Sequence, residues 1–206
     1  MRVLRIAVSC SQVYKIYVIL FLRLSMSVLL IILFHIYAAW CRVFNFFERK
    51  IYPSISFVKY SCIKNPCDSF YSFHKDIRYQ KDRWYMLWDV ISIPEAIFAR
   101  GGDDCDGFAR LAYCHFGDEF HYQGITYVFY GLCAMVFDSS PHHMETVYVG
   151  SDGSYMIMGE QVRVFSKFEV MCFYFNDFFK CNQKLRYLGV FKIVKDNIYF
   201  KELVKL

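Results

Sequence analysis

The longest apolar stretch of this chain lies near its N-terminus and constrains the fold more than any other feature. Residues 16–41 read IYVILFLRLSMSVLLIILFHIYAAWC, broken by Arg23 and His35. The 18 residues from Leu24 to Cys41 carry no formal charge, and about 20 apolar residues in a helix cross the hydrocarbon core of a membrane. We therefore predict a long apolar helix within residues 1–50 that is a candidate membrane anchor, followed by a domain over residues 51–206.

Two alternatives to an anchor stay open at this stage. The helix could pack on the domain's own core, or the start codon could lie too early. A cleaved signal peptide fits less well, because the apolar part is long and no small-x-small cleavage site follows. Localisation is undecided between membrane-anchored and cytoplasmic, with a preference for a single-pass membrane protein. Orientation is also undetermined, because basic residues are equally frequent on the two sides: Arg2, Arg5 and Lys15 against Arg42, Arg49 and Lys50.

Composition excludes several classes of protein. The 206 residues are 56% hydrophobic and 20% aromatic, which excludes a disordered chain and favours strands in part of it. The net charge of +5 comes from scattered basic residues without a basic stripe, so we predict no nucleic-acid partner. The nine cysteines form no dense disulfide framework, and several lie in apolar runs, which favours reduced thiols.

Three helices are predicted in the first half of the domain. The first begins near Asn65-Pro66, with Phe70, Phe73, His74 and Ile77 on one face. The second begins near Pro94 and ends at Gly101. The third, CDGFARLAYCHFG, begins at Cys105 and ends at Gly117, with Phe108, Leu111, Ala112 and His115 on one face.

After Gly124 the pattern changes to that of strands. ITYVFYGLCAMVF predicts a buried strand, and HMETVYVGSDGSYMIMG predicts a hairpin around Ser151-Asp152. Weaker strand patterns follow in RVFSKFEVMCFYF and YLGVFKIVKDNIYF. Helices followed by an antiparallel sheet indicate an α+β domain.

Cys105 is the residue whose position most suggests chemistry. It follows Gly101 and Gly102 and stands where a helix begins, and a helix N-terminus favours the thiolate form of a cysteine. Asp104 and Asp106 flank it; such carboxylates cap the helix but disfavour a nearby thiolate. The residue is therefore either a nucleophile with a basic partner elsewhere or a small buried thiol at a cap.

The histidines narrow the choice of partner. His35 and His74 are expected to be structural, and His115 and His121 to be surface or capping groups. His142 and His143 begin a strand, and alternation places them on opposite faces, with His143 on the face of Glu145, Val147 and Val149. If Ser151 and Asp152 form the hairpin loop, Gly150 faces Gly153 and His143 faces Glu160, a carboxylate that could orient the imidazole.

These residues together resemble a known family. WDVISIPEAIFARGGDDCDGFARLA is similar to the nucleophile segment of the transglutaminase-like cysteine peptidases, a bacterial and phage-rich branch of the papain-like superfamily. The similarity is carried by Trp88, Pro94, Glu95, Gly101, Gly102, Asp104, Cys105, Asp106, Phe108 and Ala109. NPCDSFYSFHKDIRYQKD resembles the family's upstream helix and HHMETVYV its histidine strand, so the match covers about residues 64–161.

The resemblance implies a papain/transglutaminase-like fold, with the cysteine helix packed on an antiparallel sheet, and a Cys-His-Asp/Asn triad. Cys105 and His143 carry over, with His142 as the alternative base. The third residue does not carry over, because this chain has MIMGEQ where the family has Asp or Asn; Glu160 is the nearest carboxylate.

The implied activity is peptide or amide hydrolysis or acyl transfer, with a protein or peptide as substrate. A catalytically inactive binding or scaffolding domain is the alternative, and membrane association would run through residues 16–41. No cofactor is predicted, and calcium is the one alternative left open. Some family members bind calcium through the acids that flank the cysteine, but Asp104 and Asp106 alone are too few ligands. Cys105, Cys114, His115 and His121 lack the close spacing of a zinc site.

Overall fold

The fold was analysed in a computed structural model. It describes residues 10–52, 77–80, 90–137, 141–159, 162–178 and 184–206. Within these ranges the side chains of residues 10–25, 141–142 and 176–178 are not considered. The helix predicted to begin at Asn65 lies mostly outside the described residues.

The described residues form four helices and nine strands. In chain order they are α1 Cys10–Ile51, β1 Arg78–Tyr79, α2 Pro94–Arg100, β2 Gly102–Asp103, α3 Cys105–Phe116, β3 Glu119–Tyr122, β4 Ile125–Phe137, β5 Pro141–Gly150, β6 Tyr155–Met158, β7 Val162–Phe165, α4 Phe168–Phe178, β8 Leu185–Val194 and β9 Asn197–Lys205. Most helices precede most strands, and the large sheet is antiparallel, as in α+β proteins.

The main sheet has seven strands in the order β7-β6-β5-β4-β8-β9, with β3 paired to β4. Every pairing in it is antiparallel. The long strand β4 lies in the middle of the sheet, and its successive side chains belong alternately to two hydrophobic clusters. Leu132, Ala134 and Val136 belong to a cluster with α1 and α3. Cys133, Met135 and Phe137 belong to a cluster with α4, so helices cover both faces of the sheet.

Helix α1 packs on the sheet through one stripe of residues. The stripe repeats every three or four positions, which is the spacing of one helix face, and consists of Leu30, Phe34, Ala38, Cys41, Asn45 and Glu48, all buried. Phe34 is the central apolar contact, with its ring centroid 5.3 Å from that of Phe191 and 5.4 Å from that of Phe200. The residues of α1 thus share a core with β8 and β9.

Two arginines of α1 donate hydrogen bonds to the hairpin of β8 and β9. Arg42 Nη1 donates to the carbonyl of Ile198 at 2.9 Å, and Arg49 Nη2 donates to that of Asp196 at 2.8 Å. The buried Arg110 of α3 donates to the same Asp196 carbonyl at 3.1 Å. Helices α1 and α3 therefore both donate to the carbonyl of Asp196, in the turn between β8 and β9.

Several predictions of secondary structure are confirmed, and one strand prediction is wrong. Helices α2 and α3 and strand β4 have the predicted limits, and the positive φ of Gly101 ends α2. The segment FEVMCFYF was predicted as a strand but forms α4. Its apolar residues are too dense to show a clear period, and as a helix it buries Met171, Cys172 and Phe175 against the second face of the sheet.

The hairpin of β5 and β6 forms, but its register differs by one residue from the prediction. Tyr148 pairs with Met156 and Val149 with Tyr155, and the amide of Gly150 donates to the carbonyl of Ser154. The loop therefore has three residues, 151–153, and its last, Gly153, has a φ of +83°. A third loop residue changes every cross-strand partner, because the pairing shifts with it.

Candidate active site

Cys105 is the first residue of α3, at the end of a tightly folded loop. Helix α2 ends at Gly101, and β2 then pairs in parallel with β1, with Gly102 opposite Arg78. A Cβ at Gly102 would lie 2.6 Å from the carbonyl oxygen of Arg78, so only glycine fits this close approach. Asp104 caps α3 by accepting from the amide of Asp106 at 3.3 Å, and the thiol of Cys105 stands at the positive end of the helix.

An arginine offsets the negative charge of the loop. Arg100 Nη2 contacts Asp103 Oδ2 at 2.8 Å, and its Nη1 contacts Glu48 Oε1 of α1 at 3.2 Å. The other oxygen of Glu48 accepts from the amide of Ile93 at 2.9 Å. The loop before Cys105 is therefore tied to α1, and part of the acidic charge that disfavours a thiolate is neutralised.

The cysteine helix is fixed over β5, the strand that carries the histidine. The hydroxyl of Thr146 donates to the carbonyl of Ala109 in α3. The hydroxyl of Tyr148 donates to the carbonyl of Gly117, just past the end of α3, at 2.9 Å. Both acceptors belong to α3 or its end, so these bonds fix the position of α3 relative to β5.

His143 lies between the cysteine and a carboxylate. Its Nε2 is 2.7 Å from Oε1 of Glu145, two residues further along β5, and the two side chains are 8% and 2% exposed. The imidazole also makes a hydrogen bond with the thiol of Cys105.

The surroundings of His143 favour its protonated form. Burial lowers the pKa of His143, but hydrogen bonds to Cys105 and Glu145 and the charges of both residues outweigh burial and raise the pKa to about 10. An imidazolium is therefore held beside the sulfur at neutral pH. A basic partner of this kind is what a nucleophilic cysteine requires.

Gly159 makes room for Glu145. A Cβ built at Gly159 would overlap Oε2 of Glu145 and lie 2.6 Å from its Cδ. Gly159 directly follows β6. The carboxylate of Glu145, from the adjacent strand β5, fills the space that a side chain at position 159 would occupy.

Glu145 was not predicted as a site residue, and Glu160 was. Glu160 lies outside the described residues, and the register that paired it with His143 is wrong by one residue. The sequence did contain a usable indication of Glu145. Residues i and i+2 of a strand lie on the same face, so a carboxylate two positions after the histidine needs no hairpin register to reach it.

Three of the other histidines, those whose side chains the structure describes, have structural surroundings. His115 is buried, contrary to the surface or capping position expected, and burial lowers its pKa. His121 is exposed, with Nδ1 2.9 Å from the Thr126 hydroxyl, and His35 packs edge-on against Phe200. His142 belongs to β5, and His74 lies outside the described residues.

Three carboxylates meet at the start of α3, but they do not suit calcium. Oxygens of Asp103, Asp104 and Asp106 lie within 4.8 Å of one another. One oxygen of each accepts a backbone N–H, and Asp103 also binds Arg100. Calcium takes six to eight oxygen ligands, and a guanidinium already supplies positive charge here, so we assign the cluster to folding of the loop.

Two other thiols provide a contrast with Cys105. Burial raises the pKa of Cys133, which lies wholly in the core. Burial also raises the pKa of Cys172, to about 11. Cys105 is partly exposed and carries a free thiol, so it alone of these three combines access to solvent with a hydrogen-bonded imidazole.

In comparisons with known proteins, no family model matches this chain, and neither a curated protein nor a solved structure matches it. The chemistry of the site must therefore be argued from its geometry.

Proposed function

We propose that this protein is a cysteine peptidase or amide hydrolase, or a related acyl transferase, with a papain-like arrangement of its site. The observation that carries the proposal is the chain of contacts from the Cys105 thiol through the His143 imidazole to the Glu145 carboxylate. In this arrangement a nucleophile contacts a base, and a third group orients the base.

The proposed reaction begins with attack of the Cys105 sulfur on the carbonyl carbon of an amide. A carbon–sulfur bond forms, and the carbonyl electrons move to its oxygen, which the backbone N–H of Cys105 helps to stabilise. When the oxyanion collapses, the carbon–nitrogen bond breaks, and the leaving amine takes a proton from the imidazolium of His143.

The resulting thioester is then released by a second nucleophile. Water or an amine attacks the acyl carbon, His143 accepts the proton of that nucleophile, and the carbon–sulfur bond breaks to return the thiolate. Water gives hydrolysis, and an amine gives acyl transfer. The proposed role of Glu145 is to hold the imidazole in place and to stabilise its charged form, which makes it a positioning residue.

The test is direct detection of the acyl-enzyme. The full chain is mixed with p-nitrophenyl acetate, and the intact mass is measured at short times. We expect one acetyl group per molecule, on the peptide that contains Cys105, and none on Cys105→Ala.

A matched control is Cys172→Ala, which removes a thiol on the opposite face of the sheet and should leave the labelling unchanged. Acetylation spread over several thiols, or equal labelling of Cys105→Ala, would refute the proposal. That result would favour a binding or scaffolding domain.

A further inference from the structure

Helix α1 has two unlike faces. The stripe from Leu30 to Glu48 is buried against the sheet. The opposite side exposes many large apolar side chains to solvent, among them Leu29, Ile32, Ile36, Val43, Phe46 and Phe47. The helix is apolar enough over Met26–Ile51 for a membrane span, yet only 22% of that window is buried. An exposed apolar surface of this length indicates a binding surface.

The packing of α1 argues against a simple bilayer crossing by Met26–Ile51. A crossing helix faces lipid all round or packs on other membrane segments. Here Phe34 and Ala38 contact the sheet, and Glu48 forms an ion pair with Arg100 of the domain. While α1 stays docked, only its outward face is available to a membrane.

The charged residues next to α1 indicate which kind of partner its outward face binds. The β8–β9 hairpin, on which α1 packs, carries six basic and two acidic residues between 184 and 206. All six basic side chains are exposed. Lys192 alternates with the α1-facing Phe191 and Ile193, and Lys201 lies over the ring of Tyr130 on the other side of the sheet, so neither is next to α1. The exposed cations next to α1 are Lys195 in the turn, Lys205, and Arg49 and Lys50 of α1 itself. A second copy of the chain would bring like charges together, whereas an anionic lipid surface attracts them. Burial of apolar side chains and attraction of cations to anionic lipid are the two contributions that hold a helix in the membrane interface.

We propose that α1 lies along the surface of an anionic membrane. Its outward face, represented by Ile36 and Phe47, inserts at the boundary of headgroups and acyl chains, and the cations on the α1 side of the sheet, Lys50 and Lys205 among them, contact the lipid headgroups. The domain then sits on the membrane with α1 between the sheet and the lipid. This arrangement differs from the single-pass anchor that the sequence suggested, and it does not depend on the proposed catalysis.

The test is flotation of the full chain with vesicles. We expect the protein to float with vesicles of phosphatidylglycerol and phosphatidylcholine in equal amounts, and at least tenfold more weakly with phosphatidylcholine alone or in high salt. Ile36→Asp and Phe47→Asp should each lower vesicle affinity at least tenfold. The matched control is Phe173→Asp, which changes an even more exposed apolar residue on α4 and should bind as the wild type does.

Three outcomes would overturn this proposal. If the protein does not float with the vesicles, or if the α1 variants float as well as the wild type, α1 does not bind a membrane surface. If the protein forms a dimer without lipid and Ile36→Asp converts that dimer to a monomer, the outward face of α1 binds a second copy of the chain instead. Tags at the two ends of the chain, treated with external protease on sealed vesicles, should both be cleaved; protection of either one would show a crossing. None of these results alters the expected labelling of Cys105, so the two proposals fail separately.

Discussion

Replacing Glu145 by Gln tests the most specific feature of the site. The substitution keeps the size of the side chain and removes its negative charge, while burial of His143 is unchanged. Glu145 raises the pKa of His143 both by its hydrogen bond and by its charge. An opposite charge in contact changes a pKa by roughly 1–3 units, so we expect the pKa of His143 to fall from about 10 by that amount.

The free energy involved is large for a single pair. The wild-type pKa of about 10, against 6.5 for an ordinary histidine, corresponds to about 5 kcal/mol in favour of the imidazolium. The Gln variant should lose about 1.4–4 kcal/mol of this preference. The alkylation rate of Cys105 at neutral pH should fall with it, because less imidazolium is present to stabilise the thiolate.

The assay is a pH titration of the histidine ring nitrogens by ¹⁵N NMR, with His143 assigned from His143→Gln. Glu119→Gln is the matched control, because it removes a carboxylate from another His–Glu pair that is exposed, and it should leave the titration of His143 in place. A wild-type midpoint near 6.5, or an identical midpoint in Glu145→Gln, would refute the reasoning.

Three further predictions concern stability and packing. Gly159→Ala should displace the Glu145 carboxylate and lower the free energy of unfolding by about 1–3 kcal/mol, measured by chemical denaturation. Much of this loss should disappear in the Glu145→Ala background, and additive losses would contradict the contact between Gly159 and Glu145. In the proposed ion pair with Cys105, the folded state keeps one proton on His143 up to about pH 10, whereas the unfolded chain keeps one proton on an ordinary thiol only up to about pH 8.5. Stability should therefore fall between about pH 8.5 and 10, by at most about 1.4 kcal/mol per pH unit, and a His143→Gln variant with the same slope would count against the pair. Phe34→Ala should cost about 3–5 kcal/mol, measured by urea denaturation, whereas the outward-facing Ile36→Ala should cost little; equal costs would show that α1 is not docked.

The elements whose limits the sequence predicted are those with local stop and start signals. Pro94 and Gly101 delimit α2, and Cys105 and Gly117 delimit α3. Strand β4 was recognisable because its apolar residues are continuous and partly β-branched. Each of these signals acts within a few residues, so no knowledge of distant contacts was needed.

The features that the sequence did not predict depend on distant contacts. The aromatic segment that forms α4 has no clear period, and the open face of the sheet decides its conformation. The partner of His143 depended on the hairpin register, which one additional loop residue changed. The docking of α1 depends on an aromatic contact between Phe34 and Phe200, which are far apart in the sequence.

The most direct test of the central claim is the alkylation rate of each cysteine in the native protein. Iodoacetamide is applied at mildly acidic pH, well below the ordinary thiol pKa of about 8.5, and each cysteine peptide is quantified by mass spectrometry. We predict that Cys105 reacts at least tenfold faster than every other thiol and that His143→Gln abolishes this advantage. A Cys105 that reacts no faster than Cys172, or that keeps its rate without the imidazole, would contradict the account.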